Sequence, residues 1–264
     1  MDNLLLRERF NPDGSLLRNH QNRMLEILKF IDTICAKHGL TYWLCGGTLI
    51  GAMRHEGFIP WDDDIDIEMP MKDYKLFVEI CKSELPEKYR LQTHETDKFY
   101  FSPYAKIRDL NSIIQERTGI DVFYKFKGAF VDVFPVTSCN KYLYKISRQI
   151  QLNLLIRPAK FIPIQLFHYF LIPIYYLVTF IYFIFSCIDK IIGSKGLSAV
   201  YGATFYIPSF DEDKIIPVKR SSFEGYKVCI PKDPDYCLRL QYGDYMKMPP
   251  IDKIEVHASS IELF

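Results

Sequence analysis

Neither sign of charge predominates in this chain: the formal net charge is +1, with 25% of the residues charged. Proteins that bind nucleic acid carry a basic excess that neutralises phosphates, so no nucleic-acid partner is expected. The seven cysteines are odd in number, scattered, and never form Cys-x-x-Cys. That excludes a disulfide framework and a zinc site and points to reduced, intracellular thiols. The opening stretch lacks the basic n-region and long apolar h-region of a secretory signal, so the catalytic part is expected in the cytoplasm. Neither GxGxxG nor GxxxxGK[ST] occurs, which removes the defining spacing of the Rossmann and P-loop sites. There is no internal repeat, low-complexity tract or evident linker. What remains is 264 residues with 48% hydrophobic content, enough for one sizeable core.

The chain is organised around residues 41–69, TYWLCGGTLIGAMRHEGFIPWDDDIDIEM. Tyr42, Trp43, Leu44 and Cys45 read as a short buried strand, and Leu49 to Met53 as a helical turn. Between them stand Gly46, Gly47 and Thr48. A strand, a glycine turn and a helix start leave backbone N–H groups pointing outward, where phosphate oxygens approach closely. Thr48 is placed to cap that helix or to donate to phosphate. The acids follow: Asp62, Asp63, Asp64 and Asp66 cannot all stay ionised at close range without a positive charge among them, and a metal is the usual one. In Asp64-Ile65-Asp66-Ile67 the alternation puts both carboxylates on one strand face and both isoleucines on the other. Two oxygen ligands about 7 Å apart along a strand suit a hard cation such as Mg2+ (or Mn2+). Asp62 shares their parity but lies nearer the Pro60-Trp61 turn.

Around this stretch the periodicity predicts a helix through Met24, Leu25, Ile27, Leu28, Ile31 and Ile34, stopped by Gly39. A turn is expected at 11–14 and a second helix over 72–84, with Tyr74, Phe77, Val78 and Cys81 inward. Short strands are expected near 88–92, 100–108 and 112–116. In the middle one Tyr104, Lys106 and Arg108 share a face, and cations there would counter charge developing on phosphate. Residues 128–135 read as a strand that is apolar except for Asp132. A lone acid in a buried strand needs a partner, and a metal is the expected one. Farther on, Ser222 to Val228 reads as a hairpin around Glu224-Gly225, and Asp235 to Tyr242 as a short helix closed by Gly243. His257 stands alone, and an isolated histidine is usually structural or exposed.

The run from Gly46 to Ile67, GGTLIGAMRHEGFIPWDDDIDI, resembles the signature of the LicD and fukutin-related family almost without gaps. The Lys106-Ile107-Arg108-Asp109 segment, the Asp132 strand and residues 223–250 resemble that family too. The resemblance implies an α+β fold, a nucleotidyltransferase-like mixed β-sheet flanked by helices. It also implies a metal held by Asp64, Asp66 and Asp132, with donor phosphates at Gly46, Gly47 and Thr48 and Arg54, Lys106 and Arg108 as cationic contacts. The activity implied is transfer of phosphocholine or a phospho-alditol from a CDP-activated donor to a hydroxyl of a glycan or lipid-linked glycan, releasing CMP. The chain departs from the family pattern at Val136-Thr137, where a further Asp is common. Two other readings use the same residues: a nucleotidyltransferase that moves NMP from an NTP to a small molecule, and a non-catalytic membrane-associated binding protein.

Residues 161–188 contain no Asp, Glu, Lys or Arg, and 22 of these 28 positions are apolar. That is long enough for a membrane span. The preceding 141–160 segment carries Lys141, Lys145, Arg148, Arg157 and Lys160 without an acid, as expected beside anionic lipid on the cytosolic face of the inner membrane. Since the tail resembles the same domain, the chain has to return. A re-entrant or interfacial helical hairpin broken at Pro163 and Pro173 is the expectation, with a buried core helix pair as its rival. The expected organisation is 1–137 as the nucleotidyltransferase-fold core, 138–198 as a basic then hydrophobic helical insertion, and 199–264 completing the first domain.

Overall fold

The structure, a computed structural model, describes residues 3–116, 119–162, 164–205, 209–248, 250 and 258–264. Helix α1 (Asn3–Phe10), which no periodicity announces, packs Leu6 against Ile59 and Trp61. Helix α2 (Leu16–His38) starts where the Ser15 hydroxyl accepts the Arg18 N–H at 3.2 Å and stops at Gly39, whose φ of 66° any side chain would resist. Its apolar stripe, Met24, Ile27, Leu28 and Ile31, is fully buried.

Strand β1 (Trp43–Leu44), helix α3 (Gly46–His55), strand β2 (Asp66–Pro70) and helix α4 (Met71–Glu84) follow in the predicted order, but β2 begins at Asp66, so Asp64 and Ile65 lie just before the strand and not in it. Strands β3 (Tyr89–Gln92), β4 (Ala105–Asp109), β5 (Ser112–Glu116) and β6 (Phe130–Thr137) complete the front half. The main sheet runs β1-β2-β6-β4-β3 and is mixed: β2 and β6 are parallel, and the other pairings are antiparallel. Ile65, Ile67, Val131 and Val133 point to the face covered by α2 and α4 and have no exposure. Asp66 and Asp132, of the opposite parity, therefore share the other face.

Helix α5 (Lys141–Gln151), a π-turn (Leu152–Ile156) and helix α6 (Arg157–Phe161) run outward, and helix α7 (Gln165–Ile192) returns beside them. The pairing is antiparallel: Asn140 N–H donates to Asp189 Oδ1 at 2.9 Å, Tyr182 OH to Ser147 O at 2.9 Å, and His168 Nε2 to Ala159 O at 3.1 Å. A helical hairpin thus forms, but between the basic segment and the apolar one, not within 161–188. Pro173 lies inside a continuous α7, as a helix supported by a neighbour tolerates, and does not break it. Pro163 lies outside the described residues, as does His257. Nor is α7 a core helix: its buried residues are His168, Leu171, Val178 and Asp189.

Strand β7 (Ser198–Ala199) pairs with the end of β6. Helix α8 (Glu212–Ile215) leads to the hairpin of β8 (Lys219–Phe223) and β9 (Tyr226–Ile230), then helix α9 (Pro234–Tyr242) and strand β10 (Ala258–Leu263), which pairs with β5. Phe223, Val228, Cys237 and Leu238 join the same core as α2 and β1. Asp32 on α2 is the polar tie to this segment. It accepts hydrogen bonds from Tyr42 OH at 2.6 Å, Tyr226 OH at 3.0 Å and Arg220 Nη2 at 2.9 Å.

Candidate active site

The parallel register sets Asp66 beside Asp132, and the antiparallel register on the other side of β6 sets Lys106 beside Asp132. Three charged side chains therefore stand in a row across β2, β6 and β4 on one face. They open into a cavity of about 670 Å3 whose wall also includes Gly46, Asp64, Glu68 and Glu116. Counting Asp63, six carboxylates line it, and Lys106 is the one Lys or Arg among its described lining residues.

The backbone holding these acids is fixed by short-range hydrogen bonds. Asp66 N–H donates to Thr48 Oγ1 at 2.9 Å, while Asp66 O accepts from Cys45 N–H at 3.1 Å. Ile65 O accepts from Asp132 N–H at 2.8 Å, so the pairing of β2 with β6 begins one residue before Asp66. From α2, His20 Nε2 donates to Asp63 O and Gln21 Nε2 to Asp62 O, both at 2.9 Å. Both α2 side chains are fully buried. Sequence reasoning missed them because a polar residue on a core-facing helix stripe carries no sign of its distant partner.

Gly46 has φ of 57° and its ideal Cβ would stand 3.2 Å from Asp66 Oδ2; a Cβ on Gly47 would stand 3.1 Å from Asp62 Oδ2. The glycines give close approach, as expected, but the groups that approach the α3 N-terminus are carboxylates of the chain itself, which the helix dipole favours. Thr48 neither caps α3 nor lines the cavity: Cys45 is the N-cap, and the Thr48 hydroxyl serves Asp66.

Two of the three expected cations are also elsewhere. Arg54 Nη1 donates to Tyr245 O at 2.7 Å, away from the cavity. Arg108, wholly buried, donates to Gln92 Oε1 at 2.8 Å, Gly128 O at 2.9 Å and Glu116 Oε1 at 3.0 Å. It reaches the site only by holding Glu116. Lys106 is where the shared strand face placed it. Its Nζ lies 2.8 Å from Asp132 Oδ1 and 3.7 Å from Glu116 Oε1, and 3.5 Å from the centre of the Phe130 ring. The partner that Asp132 required is thus a lysine across the sheet, since residues directly opposite in an antiparallel pair share a face.

Burial pushes the Asp66 carboxyl well above its ordinary value, and Asp64, Asp132 and Asp62 add to the rise. Asp132 is raised to about 6 by burial, against the pull of Lys106. Glu68, 2% exposed, is raised to about 7 by burial although Trp43 Nε1 donates to it at 2.6 Å. Burial acts the same way on Glu116, but Lys106 and Arg108 outweigh it and hold that carboxyl below its ordinary value. Glu68 was legible as the next step of the Asp64, Asp66 alternation; Glu116 gave no such signal.

These carboxylates suit a hard cation in donor type. Asp132 Oδ1 is fully buried and, though close to Lys106 Nζ, has no hydrogen bond of acceptable geometry. Among the described residues no three His, Cys, Asp or Glu side chains converge as a ready-made chelate.

Residues 39–162, which contain every residue of this row, match a family model described as LicD/FKTN/FKRP, nucleotidyltransferase domain. The lipopolysaccharide cholinephosphotransferase LicD of Haemophilus influenzae is 40% identical over 119 residues, 45% of this chain and 43% of that protein. The ribitol 5-phosphate transferase FKRP of Homo sapiens is 35% identical over 69 residues, 26% of this chain and 13% of that one. Mannosyltransferase regulator 4 of Saccharomyces cerevisiae is 28% identical over 78 residues, 29% of this chain and 7% of that protein. The matched stretch thus spans less than half the length of each of these relatives. The glycine turn, the alternating acids and the Asp132 strand, assembled on one wall, all lie within the 39–162 stretch that is similar to the LicD and fukutin-related family.

Proposed function

We propose that this chain transfers a phospho-substituent, phosphocholine or a phospho-alditol, from a CDP-activated donor to a hydroxyl of a glycan or lipid-linked glycan. The observation that carries the reading is the Asp66, Asp132, Lys106 row in a cavity with six carboxylates and a single lysine. So much buried negative charge calls for a cation before an anionic substrate can enter. Asp64, Asp66 and Asp132 are the residues to hold Mg2+ or Mn2+, which when bound neutralises the acids and polarises phosphoryl oxygens. Lys106 faces the donor phosphates and offsets the charge that builds on the departing CMP phosphate. The acceptor oxygen forms a bond to the β phosphorus while the bond from that phosphorus to the CMP oxygen breaks. The hydroxyl proton passes to a carboxylate of the cavity wall, for which Glu68 is in position. Gly46 keeps the entrance to Asp66 free of side chain.

Helix α7 supports a lipid-proximal acceptor. It is the one described helix long and apolar enough to cross a membrane, and 11% of its most apolar 18-residue window is buried. Phe170, Leu177, Phe180 and Phe183 are more than half exposed, and its partner α5 carries Lys141, Lys145 and Arg148. We place this hairpin on the cytosolic face of the inner membrane, lying in the interface beside anionic headgroups.

Purified protein incubated with CDP-choline, CDP-ribitol and CDP-glycerol, a glycan acceptor and Mg2+ is expected to release CMP only with the metal present. Release of pyrophosphate from an NTP would favour the nucleotidyltransferase reading instead. The Lys106–Asp132 ion pair is the contact that would suit the non-catalytic reading, and failure to bind either Mg2+ or Mn2+ by calorimetry would favour it.

A further inference from the structure

Behind the Tyr104 ring lies a second cavity, of about 390 Å3, walled by the 93–103 segment, α4 and the inner side of α7. Tyr104 lines both cavities. The two differ in chemistry. The first is crowded with carboxylates; in the second Lys75 is the one charged residue among the described lining residues, apart from His94. Its walls are aromatic, with Tyr74, Tyr175, Tyr182 and Tyr201 around His94, whose ring stacks on Tyr175 at 3.8 Å. Apart from Lys75 and His94, the polar side chains of its described lining are neutral hydroxyls and the Gln151 amide. One of them, Thr93 Oγ1, is buried without any hydrogen-bond partner.

A phosphate or nucleotide has little to pair with in such a pocket, and a plain hydrocarbon chain would leave the Thr93 hydroxyl unsatisfied. A neutral polyhydroxylated ring meets both demands, laying its C–H face on the aromatic rings and its hydroxyls against those of the wall. We propose that this cavity is an acceptor subsite that binds a neutral sugar ring of the glycan while the neighbouring sugar presents its hydroxyl to the Asp66–Asp132 cavity past Tyr104. The assignment rests on the transferase reading given above. It explains why the pocket's outer wall is α7: a glycan carried on a membrane lipid enters from that side.

The test uses the 264-residue chain with lactose, cellobiose and chitobiose as probes, followed by NMR titration. Thr179→Phe places bulk in the cavity from the exposed side of α7, and Thr93→Val removes the unpartnered hydroxyl at constant shape. At least one probe is expected to bind, with Kd weakened about tenfold or more by Thr179→Phe and several-fold by Thr93→Val at unchanged Tm. In transfer assays the same variants are expected to raise KM for the acceptor far more than KM for the CDP donor. Failure of all three sugars to bind, equal Kd in wild type and both variants, or binding of long-chain alcohols in their place would overturn the subsite. Sugar binding that remains sensitive to Thr179→Phe in a protein inactive toward every CDP donor would overturn the transferase reading and uphold the subsite.

Discussion

Around β2, β6 and β4 charged groups are held out of water, whereas along α7 large hydrocarbon side chains are held in it. Asp132 and Lys106 are 7% and 4% exposed, while Phe170 is 65% exposed. Both arrangements run against the solvation preferences of their residues. In the first region Asp132 and Lys106 pair with each other at 2.8 Å; the remaining buried acids there would be matched by a cation, and the exposed rings of α7 by an apolar medium, under the proposed function. Burying a side chain such as Phe contributes about 1.5–3 kcal/mol, so several on one helix face make lipid contact strongly favourable. The regions meet at Tyr104, Tyr175 and Tyr182, where neither rule is violated and the chemistry is neutral.

Substitutions can separate the two halves of this contrast. The largest effect is expected in the charged region: Asp66→Asn should lower CMP release by about 10³-fold or more while leaving Tm within a few degrees, and Asp132→Asn should lower it as much but also destabilise the fold by leaving Lys106 without its partner. Turnover near the wild-type rate in either variant would remove that acid from the reaction. In the apolar region, Phe170→Glu with Phe180→Glu should abolish co-flotation with anionic vesicles and leave turnover on a soluble acceptor intact. Flotation equal to wild type would place the membrane surface elsewhere.

Two stability changes are smaller. A Cβ on Gly128 would lie 1.5 Å from the backbone oxygen of Asp109, so Gly128→Ala must displace β4 or β6 and should cost about 3 kcal/mol in urea unfolding. Lys106→Met leaves the buried Asp132 carboxylate without its partner and should cost a similar amount, about 3 kcal/mol. An unchanged urea midpoint would mean that Asp132 takes up a proton at no cost.

The smallest effect is a pH dependence distant from the site. Burial alone would raise the Asp32 carboxyl, but hydrogen bonds from Arg220, Tyr42 and Tyr226 outweigh it and hold the group below its ordinary value. A depressed carboxyl stabilises the fold above the unfolded value, about 3.9, and that contribution disappears as pH falls through the folded value. Arg220→Met should cost about 1 kcal/mol at pH 7, because the guanidinium is partly exposed. The gap from wild type should close in acid below the unfolded value; a gap that persists there would assign the loss to packing.

Short-period patterns carried most of what was legible in the sequence. The alternation of Asp66 and Ile67 fixed which face each takes, the shared parity of Tyr104, Lys106 and Arg108 put Lys106 on one strand face, and the lone acid in an apolar strand marked Asp132; Asp64 keeps its place on the cavity wall although it precedes β2. Strand neighbours and long side chains were not legible. Nothing local in Arg54 or Arg108 indicates that carbonyls of Tyr245 and Gly128 will claim their guanidinium groups. Thr48 reads like a cap and instead serves the β2 backbone, since Cys45 occupies the cap position. In α7 composition showed the apolar run, but its pairing with the basic α5 depends on contacts between residues about twenty to fifty positions apart, such as Tyr182 with Ser147.

The tip of the β8–β9 hairpin has a bearing on chimera design. Glu224 N–H donates to Glu56 O at 2.8 Å, its Oε1 accepts from Phe58 N–H at 3.1 Å, and its Oε2 receives Arg18. A Cβ on Gly57 would fall 2.2 Å from that carboxylate. The carboxy-terminal third thus latches the loop that leads into the acids, and Arg18, Gly57 and Glu224 work as a matched set. Grafting this hairpin from one relative into another should succeed only when all three residues travel together.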